Sequence, residues 1–281
     1  MTLQSRDFIL LIMRLKRRVV STSKHRPLIT LTTDFGLLDA YVATMKAAIL
    51  RQVPEARLID VTHNFPRHDI LCGSITLGRA IDGFPAGTIH LAVIDPGVGT
   101  SRRMLVAEIN RQLIVCPDNG LITWSWRTHA GSRASELTWR PKNQASNVFH
   151  GRDIMAPVAG MIGAGRAIDQ LARPIDDPIL LDVAPAMDHE RRGEIIHIDH
   201  FGNATTNIGH DALRAHVMRG VKVKGKNVGK LKKTYWDVAP GKPLALIGSS
   251  GLLEIAVRDG SAATDLKLRV GDPVKIELVA R

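Results

Sequence analysis

The stretch "PLITLTTDFGLLDAYVATMKAAILRQV", residues 27–53, decides the fold. Its first half is an apolar, β-branched run that halts at Asp34 and Gly36; its second half sets Val42, Met45 and Ile49 on one helical face. Strand, polar turn and helix in that order form the repeating unit of α/β proteins. Outward from it the pattern continues. "ARLIDVTH" (56–63) reads as a second strand, "DILCGSITLGRAIDGF" (69–84) as a second helix, and "GTIHLAVIDPGVG" (87–99) as a third strand whose near-continuous apolar run suits a sheet covered on both faces. "MLVAEINRQLIVCPDNG" (104–120) reads as a hairpin feeding the same sheet, and "IMAPVAGMIGAG" (154–165) as a helix of small residues able to pack closely.

Beyond residue 172 the texture changes. "RPIDDPILLDVAPAMDHE" (173–190) is rich in Pro and Asp and reads as a linker, and after it come short β runs such as "GEIIHIDHFGNATTNI", "VKVKG" and "PLALIGSSGLLEIAV" separated by turn residues. The expected architecture is α/β: an N-terminal α/β domain with a largely parallel central sheet at 27–180, and a smaller C-terminal all-β barrel domain at 190–281. Residues 1–26 read as a disordered or mis-started extension, with Met13 as an alternative start.

The formal charge of +11 is concentrated in two places: residues 1–26 carry a net +6, and "VKVKGKNVGKLKK" at 221–233 carries another +6. The remainder is close to neutral, so no nucleic-acid groove is built through the fold. No apolar run reaches the roughly 18 residues of a membrane span, and the first 26 residues lack the long apolar core of an export signal. Cys72 and Cys116 form neither a metal-ligand spacing nor a disulfide framework. The cytoplasm is the expected compartment, without a membrane or nucleic-acid partner.

In open α/β sheets ligands collect at the carboxyl ends of the strands, and here five such ends are polar. They are Thr33-Asp34-Phe35-Gly36 with Asp39; Thr62-His63 with Asp69; Asp95-Pro96-Gly97; Pro117-Asp118-Asn119-Gly120; and His150-Gly151-Arg152-Asp153. Taken singly, Asp34, Asp39 and Asp153 also suit helix caps, and "DPGVGT" and "PDNG" plain turns. Taken together they mark a candidate site. A P-loop, a GxGxxG turn and a GxSxG elbow are all missing, whereas a metal site drawing on Asp34, His63, Asp69 and Asp95 stays open on residue chemistry alone.

"TDFGLLDAYVATMK", "FPAGTIHLAVIDPGVGTSRR", "PDNGLI", "FHGRDIMAP", "HIDHFGNATTNI" and "GSSGLLEIAV", in this order over residues 28–280, resemble the S-adenosyl-L-methionine hydroxide adenosyltransferase family, the water-using relatives of the fluorinating and chlorinating enzymes. The resemblance implies hydrolysis of S-adenosyl-L-methionine to adenosine and L-methionine, no cofactor, and a homotrimer with ligand between neighbouring subunits. It implies catalytic roles for Asp95, Arg102 and His150. Asp34 matches the ribose-binding acid, Asp39 the acid that meets the methionine amino group, Asp199 and Ser249 positions at the methionine end, Phe201 a base-stacking position and Asn203 an adenine-contacting one. "DHFGN" is one residue shorter than the halogenase version, and Ser250 stands where the halogenases have arginine, so methionine-carboxylate recognition has to differ. His150-Gly151 replaces the tyrosine-led halide pocket, and the helix-to-strand passage at 79–97 lacks the extra loop of the fluorinating enzymes, which favours water as the nucleophile. On this reading His150 faces the attacking oxygen, Arg152 braces its loop and Asp153 caps the helix that follows. The rival readings are a non-catalytic adenosyl-methionine or nucleoside binder, a halogenase, and a metal-dependent phosphohydrolase.

Overall fold

The computed structural model describes residues 26–183, 192–210, 213 and 218–278, so all but Arg26 of the expected N-terminal extension lies outside the described residues. The opening stretch forms strand β1 (Leu28–Thr33) and helix α1 (Tyr41–Gln52). After them come β2 (Arg57–Thr62), α2 (Ile70–Gly83), β3 (Ile89–Val93), β4 (Met104–Ile109), β5 (Gln112–Pro117), α3 (Thr123–Thr128), β6 (Arg133–Leu137), a single π-helical turn (Gly151–Met155) running into α4 (Ala156–Gly163), and β7 (Ala172–Ile175). These strands make one seven-stranded sheet in the order β2-β1-β3-β5-β4-β6-β7. The pairs β1–β2, β1–β3 and β3–β5 are parallel, and the pairs from β5 to β7 antiparallel. The β4–β5 hairpin closes through Asn110 and Arg111, both at positive φ (50° and 60°), the backbone that a two-residue turn needs to match strand twist.

Strand alternation divides the core. Ile29, Leu31 and Val93 point to one face, where Met45 and Ile49 of α1 and Val158 of α4 cover them. Ala92, Ile94 and Ile114 point to the other, beneath Leu77 and Ile81 of α2. The small residues of α4 do bring it close to α1: a Cβ on Gly160 would lie 2.9 Å from the Ile49 carbonyl oxygen. α2 begins where Asp69 accepts the Cys72 N–H (2.9 Å), a cap worth about 1 kcal/mol.

The second sheet has eight strands: β8 (Arg192–Ile198), β9 (Ala204–Gly209), β10 (Met218–Val223), β11 (Lys226–Gly229), β12 (Leu231–Lys232), β13 (Pro243–Ile247), β14 (Leu252–Val257) and β15 (Pro273–Leu278). Their order, β11-β10-β15-β8-β9-β14-β13-β12, wraps into a nearly closed barrel around Ile195, Ile208, Val221, Leu253, Ile255 and Val274. The lysine-rich stretch supplies both edges of this sheet. Lys222 pairs with Glu277 (2.6 Å) and Lys224 with Asp272 (3.3 Å).

The start of the Pro- and Asp-rich stretch departs from the linker reading, because Ala172–Ile175 pairs with β6 as the last strand of the first sheet. The segment after it is held down: Arg103 donates to the side chain and the carbonyl of Asp177 (2.7 Å each), and Arg127 donates to the carbonyls of Leu181 (2.9 Å) and Val183. A direct seam joins the two sheets. Ile75 of α2 and Trp124 pack on Ile196 and Leu252, and Arg79 of α2 donates to the Thr205 hydroxyl (3.1 Å).

Candidate active site

The β1–α1–β2 connection steps to one side of β1 and the β2–α2–β3 connection crosses back to its other side, so the strand order switches sense between β1 and β3. Loops diverge at such a switch and leave a crevice beyond the strand ends. A cavity of about 470 Å³ lies there, lined by Phe35 after β1, Val93 and Asp95 at the end of β3, and Val148, Phe149 and His150. Asp95 and His150 line this cavity, and Arg102 contacts both of them. Arg102 Nε donates to Asp95 Oδ1 (2.7 Å) and its Nη2 donates to Oδ2, a bidentate pair whose side chains are only 4% and 9% exposed. The same Nη2 lies 3.3 Å from His150 Nδ1. Arg102 Nη1 is buried without a hydrogen-bond partner. Burial first, and the Arg102 charge second, lower the His150 pKa below the usual histidine value. A guanidinium has no acceptor, so in this contact Nδ1 accepts from Arg102, which leaves the ring proton to Nε2.

The loops bearing these groups interlock. Gly99, at φ +84°, has no room for a side chain, because a Cβ there would sit 2.6 Å from the Asn147 carbonyl oxygen. Asp153 ties the second loop by accepting the Ser146 N–H (2.9 Å) and pairing with Arg152 (2.6 Å), while the Arg152 guanidinium lies over the Phe149 ring at 4.8 Å. The bracing role read for Arg152 is present, whereas Asp153 is not a helix cap. The π turn begins at Gly151, so Asp153 already sits inside the helical turn, and no side chain caps it. Nor does Asp34 or Asp39 cap α1, whose N-cap is Ala40.

Asp34 is half-buried and accepts the N–H of His68 (2.9 Å), a residue at φ +64°. Asp39 is exposed on the same loop, without a hydrogen bond or ion pair among the described residues. Behind the loop, His63 is buried and bonded to Thr33 (2.8 Å) and faces Asp60 (3.0 Å). Asp118 binds Arg103 and the Ile179 N–H, and Asn119 donates to the Ile94 carbonyl. Those groups of the polar rim hold structure together, and Asp69 is spent as a cap. Among the described residues no three His, Cys, Asp or Glu side chains gather as metal ligands would.

Asp199, Phe201, Asn203 and Ser249 come together elsewhere, in a second cavity of about 890 Å³ on the barrel that shares no lining residue with the first. Asp199 accepts the N–H groups of Phe201 (2.9 Å) and Asn203 (2.8 Å) and the Asn203 side-chain amide (3.1 Å), so it shapes its own turn. Apart from Phe201, sequence alone assigned no role to the aromatic groups here. Phe35, Tyr41 and Phe149 pack edge to face at 5.4–6.0 Å around the first cavity, and Tyr235 and Trp236 join Phe201 at the second. The signal was scarcity: the chain has 6 Phe, 2 Tyr and 4 Trp, and half of them line these two cavities.

Comparison with known proteins gives two consecutive matches. The family model for the SAM hydroxide adenosyltransferase N-terminal domain covers residues 29–172, and that for the C-terminal domain covers residues 193–275. A Thermus thermophilus protein named (R)-S-adenosyl-L-methionine hydrolase is 38% identical over 253 residues, 87% of this chain and 97% of that one. A protein of the same name from Salinispora tropica is 37% identical over 257 residues, covering 89% and 97%. A Nocardia brasiliensis fluorinase is 25% identical over 300 residues, covering 92% and 100%. Among solved structures, a conserved protein from Thermotoga maritima superposes with a TM-score of 0.82 at 35% identity, over 88% of this chain and 99% of that one.

Proposed function

The chain belongs to the SAM hydroxide adenosyltransferase family, and on that premise we infer that it is a hydrolase converting S-adenosyl-L-methionine to adenosine and L-methionine. The observation that carries the reading is the buried Arg102–Asp95 pair with His150 beside it, at the strand-order switch. Water attacks the ribose 5′ carbon opposite the sulfonium. The C5′–O bond forms as the C5′–S bond breaks, the bonding pair stays on sulfur as a neutral thioether, and one proton leaves the attacking water. A sulfonium needs neither a Lewis acid nor an acid for its leaving group, so the reaction is proposed to proceed without a cofactor.

In this reading Asp95 and Arg102 form a fixed dipole beside the attacking oxygen, and His150 completes the grip. While Nδ1 accepts from Arg102, His150 meets that oxygen as an Nε2–H donor; taking the proton requires the 3.3 Å contact to be released. Asp34 holds the ribose hydroxyls and Asp39 the methionine ammonium. Phe201 and Asn203 receive the adenine, and Asp199 and Ser249 border the methionine end. The relatives' names specify the R sulfonium, and the same configuration is proposed here. With both large arms of the substrate held, inversion at sulfur exchanges methyl and lone pair, so a pocket shaped for one epimer excludes the other.

The site is further proposed to be completed between subunits of a homotrimer. Two separate cavities carry complementary halves of the machinery, and each is rimmed by exposed apolar side chains: Tyr41 and Val148 at the first, Phe201 and Trp236 at the second. At substrate far below the KM of the Phe201→Ala protein, mixing it with a His150→Ala protein and letting subunits exchange raises the rate above the sum of the two separate proteins if sites are shared, and leaves that sum unchanged if each chain is self-sufficient. The reaction itself is tested by turnover in ¹⁸O-water. Label at the adenosine 5′ hydroxyl, undiminished by chelator, supports the displacement; adenine release or unlabelled adenosine refutes it.

A further inference from the structure

Strand β14 presents Leu253, Ile255 and Val257 to the barrel interior and turns Leu252, Glu254 and Ala256 outward. Glu254 is thus an acid on the outer face of a strand, yet it is not solvated as such an acid normally is. It lies half-buried in the wall of the barrel cavity, between the α2 seam and the segment around Tyr235. Tyr235 donates its hydroxyl to Glu254 Oε1 (2.6 Å). The other oxygen, Oε2, lies against Gly248, where a Cβ would come within 2.8 Å of it. Burial, reinforced by the neighbouring Asp199 charge, raises the Glu254 pKa above the usual glutamate value even though the Tyr235 hydrogen bond and the Arg79 charge act to lower it.

Arg79 does not pair with this carboxylate. Its hydrogen bond goes to Thr205, the cross-strand neighbour of Glu254, and its Nε is buried without a partner. The cavity therefore holds a desolvated carboxylate with one oxygen that no hydrogen bond engages among the described residues, immediately beside the Gly248–Gly251 turn. That turn is closed by its own backbone hydrogen bond (3.0 Å), and no hydrogen bond among the described residues engages the amides or hydroxyls of Ser249 and Ser250. A buried acceptor of negative charge next to a cluster of free N–H and O–H donors is complementary to a zwitterion, and an α-amino acid is one.

We propose that Glu254, held by Tyr235, is a specificity residue that binds the α-ammonium of the methionine moiety, while the Ser249–Ser250 turn receives its carboxylate. The proposal rests on the reading of this cavity as the methionine-binding half of the site. It supplies the carboxylate recognition that is unassigned once serine stands at position 250. An ammonium has three N–H donors, so Glu254 on the barrel and Asp39 on the opposite half can both accept from it.

Binding, measured by calorimetry, tests this apart from the reaction. The ligands are S-adenosyl-L-homocysteine, a thioether with no sulfonium leaving group, and its counterpart in which hydrogen replaces the amino group. The wild type is expected to prefer the amino-bearing ligand, and Glu254→Gln to reduce that preference about tenfold or more by weakening that ligand alone. Tyr235→Phe, which keeps the ring and the carboxylate, is expected to reduce it severalfold and serves should Glu254→Gln melt at a lower temperature. An unchanged preference in both variants, equal weakening of both ligands, or a wild type that binds neither would overturn the proposal. A wild type that shows the preference but releases no adenosine from S-adenosyl-L-methionine would overturn the hydrolase reading and leave this one supported.

Discussion

The two cavities are built on opposite principles. The one at the β1–β3 switch is internally complete: the Arg102–Asp95 pair is nearly inaccessible, Gly99 locks one loop against the other, and Arg152–Asp153 fastens the second loop from behind. The one on the barrel is unfinished. Phe201 and Trp236 are about three-quarters exposed, and Ser249 and Ser250 are exposed with unused donors. Groups that align an attacking oxygen gain from being fixed before substrate arrives, since rearrangement at the moment of reaction would cost rate. Groups that recognise a substrate can be left exposed, because the ligand itself supplies the missing cover. Position in the fold thus separates rate from affinity, and substitutions in the two regions should fail in different ways.

The largest effect belongs to Arg102→Met. It leaves Asp95 buried without its partner, which typically costs about 3–5 kcal/mol of stability, and it removes the donor array at the same time. A clear fall in melting temperature together with loss of measurable turnover is expected; a variant that retains turnover would show that the pair is only structural. His150→Ala comes next. The ring has one long contact and is not a core residue, so stability should be close to wild type while kcat falls about 10²- to 10⁴-fold and binding of S-adenosyl-L-homocysteine is preserved. The depressed pKa of His150 gives this a pH signature. Its neutral form persists below the usual histidine range, so kcat should stay level through neutral pH and fall only on the acid side of that range. In His150→Ala that acid limb should vanish from the residual rate, and its survival there would assign it to another group.

Phe201→Ala breaks the comparison from the other side. An exposed ring that stacks on the base contributes about 1–3 kcal/mol to binding, so KM and the S-adenosyl-L-homocysteine Kd should rise about 10- to 100-fold with kcat at saturation nearly unchanged. A fall in kcat without a change in affinity would mean that the barrel takes part in the chemical step, and the division drawn above would be wrong.

The switch-point cavity was largely legible in the sequence, whereas much of the barrel cavity was not. Hydrophobic periodicity marked β1, α1 and β3, and topology then dictates that Asp34 and Asp95 emerge on the same rim. The spacing of seven between Asp95 and Arg102 is short enough for one loop to fold them together. The strand β7 was hidden because its "ARPI" stands at the head of a Pro- and Asp-rich run, and β6 because "RASEL" carries polar residues suited to either strand or loop. Asp153 was misread because helix entry here is a π turn that starts two residues earlier, a backbone choice with no side-chain signature. Glu254 stands at an outward position of an alternating strand, where sequence carries no signal of burial. Only the arrival of Tyr235, nineteen positions away in sequence, and of α2 across the seam, takes it out of water.

Gly99→Ala has the smallest expected effect and examines most directly whether the chemical half is rigid before substrate binds. The added methyl meets two penalties: a positive φ that disfavours any Cβ, and the Asn147 carbonyl oxygen in its path. The backbone term alone is about 1 kcal/mol, and the contact can be relieved only if the 95–102 loop moves away from the 146–150 loop. Such a shift leaves the Asp95–Arg102 pair intact, since both ends travel on one loop, but lengthens a contact to His150 that is already 3.3 Å. The expected outcome is a modest fall in melting temperature and a kcat several-fold lower, with S-adenosyl-L-homocysteine affinity unchanged. Should kcat equal that of the wild type while stability drops, the two loops need not be locked together for catalysis, and the rigidity of this half would serve the fold rather than the reaction.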